Sequence, residues 1–238
     1  MKAYKRYKQK TLTKHIHSNI VTFLSEEKII LTHMIKAIAF DWGGVLIENP
    51  AKGILKYCAK KLQMTERSLN TAYRKYAEAF QKGTLSEQEL WDHIAPGWRH
   101  HTPPIHSLWE TAFKTVYREH HEVFHLVASL KHNSYRTGFL SNTETPAMRF
   151  FEKQHYDMFD VAVFSCAEGT RKPEQKIYQI LLKRLQVQPH ETIFVDDRSD
   201  FIDGAETIGI HGIVFQDVNQ LRTDLTALKV NIDVPSPD

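Results

Sequence analysis

Four short apolar runs, each ended by glycine or polar residues, set the tightest limit on how this chain folds. Ile38-Ala39-Phe40 delivers Asp41, with Gly43 and Gly44 close behind. The run from Tyr135 to Leu140 ends in Ser141-Asn142-Thr143. Val161 to Ser165 precedes Glu168-Gly169-Thr170-Arg171-Lys172-Pro173, and Thr192 to Val195 ends in Asp196-Asp197-Arg198. Runs of this length and composition read as buried strands. Glycine after Asp41 breaks the first strand and lets backbone approach whatever the carboxylate faces. In an open α/β sheet, ligands bind at the carboxyl ends of the strands. Taken alone, Asp41 reads equally well as a turn former or a helix cap. Four such ends along one chain argue for a single site built from strand ends.

The residue types at those ends suit one chemistry. A carboxylate can attack phosphorus and form an aspartyl-phosphate. Phosphoryl transfer then depends on holding and neutralising the oxygens. Ser141 offers a hydroxyl for one oxygen, and Lys172 is a compact charge suited to phosphate. Asp196 and Asp197, with Asp41, are hard oxygen ligands of the kind Mg²⁺ takes. As a solvated turn, two adjacent acids would simply repel, so a bound cation accounts for them better.

At these positions the chain resembles the haloacid dehalogenase superfamily in its phosphatase branch. The resemblance rests on Asp41-Trp42-Gly43-Gly44-Val45-Leu46, Leu140-Ser141-Asn142-Thr143, Gly169-Thr170-Arg171-Lys172-Pro173-Glu174 and Val195-Asp196-Asp197-Arg198, in the family's order and spread over about 35–215. Within the family it is most similar to small-cap sugar-phosphate phosphatases and, more distantly, to the phosphatase domain of epoxide hydrolases. The resemblance implies a three-layer, Rossmann-like α/β core with a parallel sheet, formed by 35–49 and 130–230. A helical cap inserted at 50–129 would close over the site. It implies Mg²⁺-dependent hydrolysis of a small, sugar-phosphate-like phosphomonoester. Asp41 would be the nucleophile, with Ser141 and Lys172 as further catalytic residues. Ser141, Asn142 and Lys172 would bind substrate, and Asp41, Gly43 (through its carbonyl), Asp196 and Asp197 would hold Mg²⁺.

Two positions depart from the family pattern. Gly43 stands where most members carry a second Asp that protonates the leaving group, so good leaving groups are expected to react best. Phe201 stands where another Asp or Asn is usual, with Asp200 next to it as a substitute. These departures favour one rival reading, a catalytically weak protein that binds phosphometabolites and regulates. The other rival is a 2-haloacid dehalogenase, which uses the same Asp without a metal; the acidic pair 196–197 argues against it.

Composition agrees with a soluble α/β enzyme, and the resemblance implies a cytoplasmic monomer or homodimer acting on a small phosphorylated metabolite. The chain has 238 residues, 42% of them hydrophobic, enough for one large domain with an insert. No apolar run approaches the ~20 residues of a membrane span, so no membrane role is expected. The net charge of +3 does not indicate nucleic acid, because the excess of base lies in residues 1–34 and the remainder is mildly acidic. Those 34 residues read either as a basic, disordered extension or as sequence upstream of a true start at Met34. The two cysteines, Cys58 and Cys166, read as reduced thiols.

Between the first two motifs the pattern is helical. Ile54, Leu55, Cys58 and Leu62 share one face. Thr65 caps a helix whose stripe runs Leu69, Tyr73, Tyr76, Phe80 and ends at Gly83. Ser86 opens a capping box with Glu89. Leu108 to Val116 and Val123 to Leu130 form two more helices, with loops at Pro96-Gly97 and Pro103-Pro104. The pairs His121/His125, His100-His101 and His15/His17 lack the Cys or acidic partners that a zinc site needs.

Overall fold

The computed structural model describes residues 34–98 and 107–233. The reading of residues 1–33, the Pro103-Pro104 loop and the pairs His100-His101 and His15/His17 lie outside them. The sheet has five strands: β1 (Ala37–Phe40), β2 (Arg136–Ser141), β3 (Val161–Phe164), β4 (Thr192–Asp196) and β5 (His211–Val214), in the order β3-β2-β1-β4-β5. Every neighbouring pair is parallel. Parallel strands need long crossovers, and helices on both faces supply them.

Side chains alternate across the sheet. Ile38, Phe40, Ile193 and Val195 join one apolar cluster, whereas Ala37, Ala39 and Phe194 join another. The second cluster is completed by α9 (Gln175–Leu185) and α10 (Ser199–Glu206), through Ile177, Leu181 and Ile202. The first is covered by α6 (His121–His132), α7 (Thr145–Glu152) and α11 (Val218–Ala227). A one-turn helix, α8 (Ser165–Glu168), follows β3. The three-layer α/β architecture expected from the sequence is therefore present.

Six helices among the described residues lie between β1 and β2: α6, which covers the sheet, and before it an insert of five, α1 (Ala51–Lys61), α2 (Glu66–Tyr73), α3 (Ala77–Gln81), α4 (Glu87–Ile94) and α5 (Leu108–Val116). Thr65 caps α2 by accepting from Ser68 N at 3.1 Å, and Ser86 and Glu89 close the capping box of α4. Ser107, which the pattern did not single out, caps α5 through Glu110 N at 2.8 Å. The insert does not form a core of its own. Ile54, Leu69, Phe80, Trp91, Trp109 and Phe113 share one apolar cluster with Phe40 and Trp42.

The stripe expected to run unbroken from Leu69 to Phe80 is divided between α2 and α3. Lys75 N and Tyr76 N bond three residues back, to Ala72 O and Tyr73 O, which tightens the turn and redirects the chain. A straight helix would hold Tyr73 and Gln81 roughly 12 Å apart along its axis. The bend lets both reach one carboxylate oxygen of Glu144. Gly83 then closes α3 at φ +70°, where a Cβ would lie 2.1 Å from the carbonyl oxygen of Cys166. Only glycine allows that approach between the insert and the turn after β3.

Candidate active site

The parallel register places Phe40 opposite Phe139 on one side and Val195 on the other. Asp41 N extends this ladder to Val195 O at 2.9 Å. Asp41 therefore leaves β1 beside Asp196, the last residue of β4. Lys172 fills the gap between them. Its Nζ lies 2.7 Å from Asp41 Oδ1, 2.6 Å from Asp196 Oδ2 and 3.2 Å from Leu140 O. All three ammonium protons thus have acceptors, one from each of three adjacent strand ends. Lys172 is 0% exposed, which only such partners make tolerable. The rings of Phe194 and Phe201 lie 5.2 and 5.0 Å from the same nitrogen and add cation–π attraction.

Burial alone would lower the Lys172 pKa, but the charges of Asp41 and Asp196 outweigh it and hold the ammonium above its usual range. Burial, and then the neighbouring charge of Asp41, pushes Asp196 up to about 7 and also raises Asp197. Carboxylate oxygens of Asp41, Asp196 and Asp197 all lie within 4.8 Å of one another, the only such group of metal-type ligands among the described residues. Three carboxylates face one ammonium, which leaves excess negative charge on hard oxygen donors. That donor set fits a divalent cation such as Mg²⁺. Gly43 is beside them on the cavity wall, and no donor among the described residues reaches its carbonyl oxygen. Gly44, at φ +98°, would put a Cβ 2.2 Å from Asp197 Oδ2; the missing side chain is what lets Asp197 come close.

The other expected residues divide in role. Ser141 and Asp197 line a cavity of about 290 Å³ together with Asp41 and Gly43. Ser141 Oγ shares a hydrogen bond with Thr143 Oγ1 at 2.9 Å. Lys172 and Asp196 are fully buried behind Asp41. Both Asp196 oxygens are occupied, Oδ2 by Lys172 and Oδ1 by Arg198 N at 2.9 Å. Asn142 clamps the main chain of Lys172, accepting from its N at 2.8 Å and donating to its O at 2.9 Å. That side chain positions the lysine. Asp200 does not replace the acid missing at position 201. Both its oxygens pair with Arg198, at 2.9 and 2.6 Å, and it is exposed. Phe201 instead sits under two cations, with Arg198 Cζ 4.0 Å from its ring. His121 pairs with Glu119 at 3.2 Å and is otherwise exposed.

Sequence reasoning missed Glu144. It is buried, lines the cavity and immediately precedes α7. Its Oε1 accepts from Tyr73 Oη at 3.0 Å and Gln81 Nε2 at 3.3 Å, and its Oε2 from Trp109 Nε1 at 3.2 Å. These donors come from α2, α3 and α5, so one carboxylate ties the insert to the loop that follows Ser141. Ser165 adds a second tie by donating to Gln81 O at 2.6 Å and accepting from Thr143 N at 2.9 Å. The only sequence signal was the position of Glu144, three residues beyond Ser141.

Removing this carboxylate has an expected cost. Glu144→Ala leaves buried donors without an acceptor, at ~1–3 kcal/mol each, and Glu144→Gln should lose less. Burial raises the Glu144 carboxyl above its usual range against the opposing effect of its donors. As pH rises through the ordinary carboxylate range, the unfolded chain gives up this proton first, so stability falls. Urea unfolding across pH 4 to 7 should show stability falling more, or rising less, with pH in the wild type than in Glu144→Gln. An identical slope in both proteins would refute this account of Glu144.

Comparison with known proteins agrees with this geometry. Residues 35–209 match the haloacid dehalogenase-like hydrolase family, and the chain belongs to it. The sesquiterpene phosphatase AstK of Aspergillus oryzae is 26% identical over 186 residues, covering 76% of this chain and 90% of that protein. The mouse acyl-CoA dehydrogenase family member 10 is 25% identical over 188 residues, 75% of this chain but only 18% of its own length. The chain thus spans under a fifth of that relative. A HAD family enzyme of Bacteroides thetaiotaomicron superposes with a TM-score of 0.66 at 22% identity, covering 79% of this chain and 98% of that one. The same bacterial enzyme has been solved with magnesium and inorganic phosphate. The chain is a hydrolase of this family, and AstK is one of its phosphatase relatives. No helix among the described residues is long and apolar enough to cross a membrane.

Proposed function

We propose that the protein is a Mg²⁺-dependent phosphatase that hydrolyses a small phosphomonoester through an aspartyl-phosphate on Asp41. The observation that carries the reading is the buried Lys172 ammonium set between Asp41 and Asp196, with Asp197 and Ser141 on the cavity beside them. The ammonium holds Asp41 Oδ1 and fixes the carboxylate, which leaves Oδ2 to attack phosphorus. The new Oδ2–P bond replaces the ester P–O bond, and the departing alkoxide takes a proton from water. Water then hydrolyses the acyl phosphate, releasing phosphate and restoring Asp41. Ser141 holds a non-bridging oxygen of the phosphoryl group. Mg²⁺, held by Asp41, Asp197 and the Gly43 carbonyl, would neutralise phosphoryl charge. The acidic cluster and the magnesium-bound bacterial relative both support that assignment. Asp196 acts from behind, by holding Lys172. Helices α1–α5, within the expected cap 50–129, act as the cap, closing the cavity and excluding water.

Gly43 supplies no acid, so rate should depend steeply on leaving-group pKa. A general acid contributes about 10²–10⁴-fold, and that is the deficit expected for primary alkyl esters relative to aryl esters. Turnover of a graded series of phosphate esters, with and without Mg²⁺, tests both the reading and this dependence. No hydrolysis of any ester with Mg²⁺ present would defeat the reading. A flat dependence, with chemistry rate-limiting, would show that another group protonates the leaving oxygen. In Gly43→Asp the new Cβ would meet Pro50 Cδ at 3.0 Å, so Pro50 must yield by a few tenths of an ångström before the added carboxyl can serve alkyl esters.

A further inference from the structure

The cavity has two chemically different halves. The half toward the strand ends carries Asp41, Ser141 and Asp197. The half toward the insert is walled by Pro50, Ile54, Leu55, Ala77 and Phe113. Four other residues of that wall carry polar groups, and each has a polar atom already engaged within the protein. Tyr73, Gln81 and Trp109 each donate to Glu144. Asn49 accepts from Ala51 N at 3.2 Å. A substrate body with several hydroxyls would leave water for a wall with few open partners, and each buried hydroxyl left unpaired is costly.

One polar group on this side has no acidic partner. Arg171 lines the cavity and is half-buried. Its Nε reaches only the carbonyl oxygen of Lys172, at 3.4 Å, and no acid lies within ion-pair distance among the described residues. Tyr73 of α2 and Ala77 and Gln81 of α3 line the cavity with Arg171, which puts it on the insert side. Glu174 pairs with Lys82 at 2.7 Å and Glu78 pairs with the same lysine at 2.8 Å, so both carboxylates are taken.

We infer that the insert side of this cavity is a subsite for a compact, mostly apolar or aromatic alcohol carrying one anionic group, which Arg171 receives. This rests on the phosphatase reading and narrows it: the leaving group is not a polyol such as a sugar. Glu144 maintains the selectivity indirectly, as a positioning residue. By drawing in the donors of Tyr73, Gln81 and Trp109, it withholds them from a hydroxylated ligand.

Affinities for non-hydrolysable probes test the inference without interference from leaving-group chemistry. Calorimetry on the full chain in excess Mg²⁺ would compare benzylphosphonate, its meta- and para-carboxylated forms, and the phosphonate isostere of glucose 6-phosphate. Benzylphosphonate is expected to bind about 10²-fold tighter than the sugar isostere, the scale on which a mismatched hydroxyl is rejected. One carboxylated form should bind about tenfold tighter again, as for one charge-assisted hydrogen bond, and Arg171→Met should remove that last gain alone. Equal or tighter binding of the sugar isostere would overturn the apolar subsite. A carboxylate gain that survives in Arg171→Met, or that never arises, would overturn the role of Arg171. Turnover of p-nitrophenyl phosphate, measured in parallel, separates this from the activity itself. Its absence alongside the expected affinities would refute hydrolysis and leave the subsite standing.

Discussion

Lys172→Met is expected to unfold at markedly lower denaturant than the wild type and to lose phosphatase activity. The ammonium is 0% exposed and is the cation between Asp41 and Asp196. Methionine keeps the length and the apolar stem but leaves two facing carboxylates without their counter-charge. Breaking a buried pair from one side costs about 3–5 kcal/mol. Added Mg²⁺ should therefore raise the melting temperature of the variant more than that of the wild type, because it supplies charge where the lysine did. Urea unfolding with and without Mg²⁺ measures both effects. A variant as stable as the wild type in metal-free buffer would mean that Lys172 is not the charge that holds these strand ends together.

Asp41→Asn is expected to reduce turnover of an activated aryl phosphate by roughly 10⁴-fold or more, the scale on which loss of a covalent nucleophile is felt. The amide oxygen still accepts from Lys172, so the fold should persist, and circular dichroism would confirm it. Near wild-type turnover in a folded variant would rule out attack by Asp41. Asp197→Asn should act differently. Asp197 lines the cavity without touching Lys172, so its loss should raise the Mg²⁺ concentration needed for half-maximal rate. Titrating Mg²⁺ against rate distinguishes the two roles.

The strand ends were legible because each is local in sequence. Asp41, Ser141 and Asp196 each follow an apolar run, and residues of this kind need no distant partner to be recognised. Parallel pairing then follows from what separates the runs. The rest depends on contacts between distant segments. Glu144 meets Tyr73, Gln81 and Trp109, which belong to a different part of the chain, and nothing adjacent to an isolated acid reveals that. The break between α2 and α3 was hidden for the same reason, since the stripe at Leu69, Tyr73, Tyr76 and Phe80 has unbroken helical spacing. Asn142 reads from sequence as a substrate contact, and only the fold shows its amide turned onto Lys172. Phe201 looks like a missing acid until the cations of Lys172 and Arg198 are found above its ring.

The order β3-β2-β1-β4-β5 has a further consequence, for how the protein is made. The central strand comes from the start of the described chain, and its two neighbours come from the middle and from the last third. While the chain is being synthesised, Asp41 emerges long before Lys172 or Asp196 exists to balance it. A fragment that ends before β4 carries Asp41, Ser141 and Lys172 but lacks Asp196 and Asp197. The three acidic groups and their lysine are complete only once β4 pairs with β1. Pairings so distant in sequence fold slowly. A chain released before β4 should carry no residual activity and should expose the open edge of β1, which makes it a target for chaperones and proteases rather than a weak enzyme.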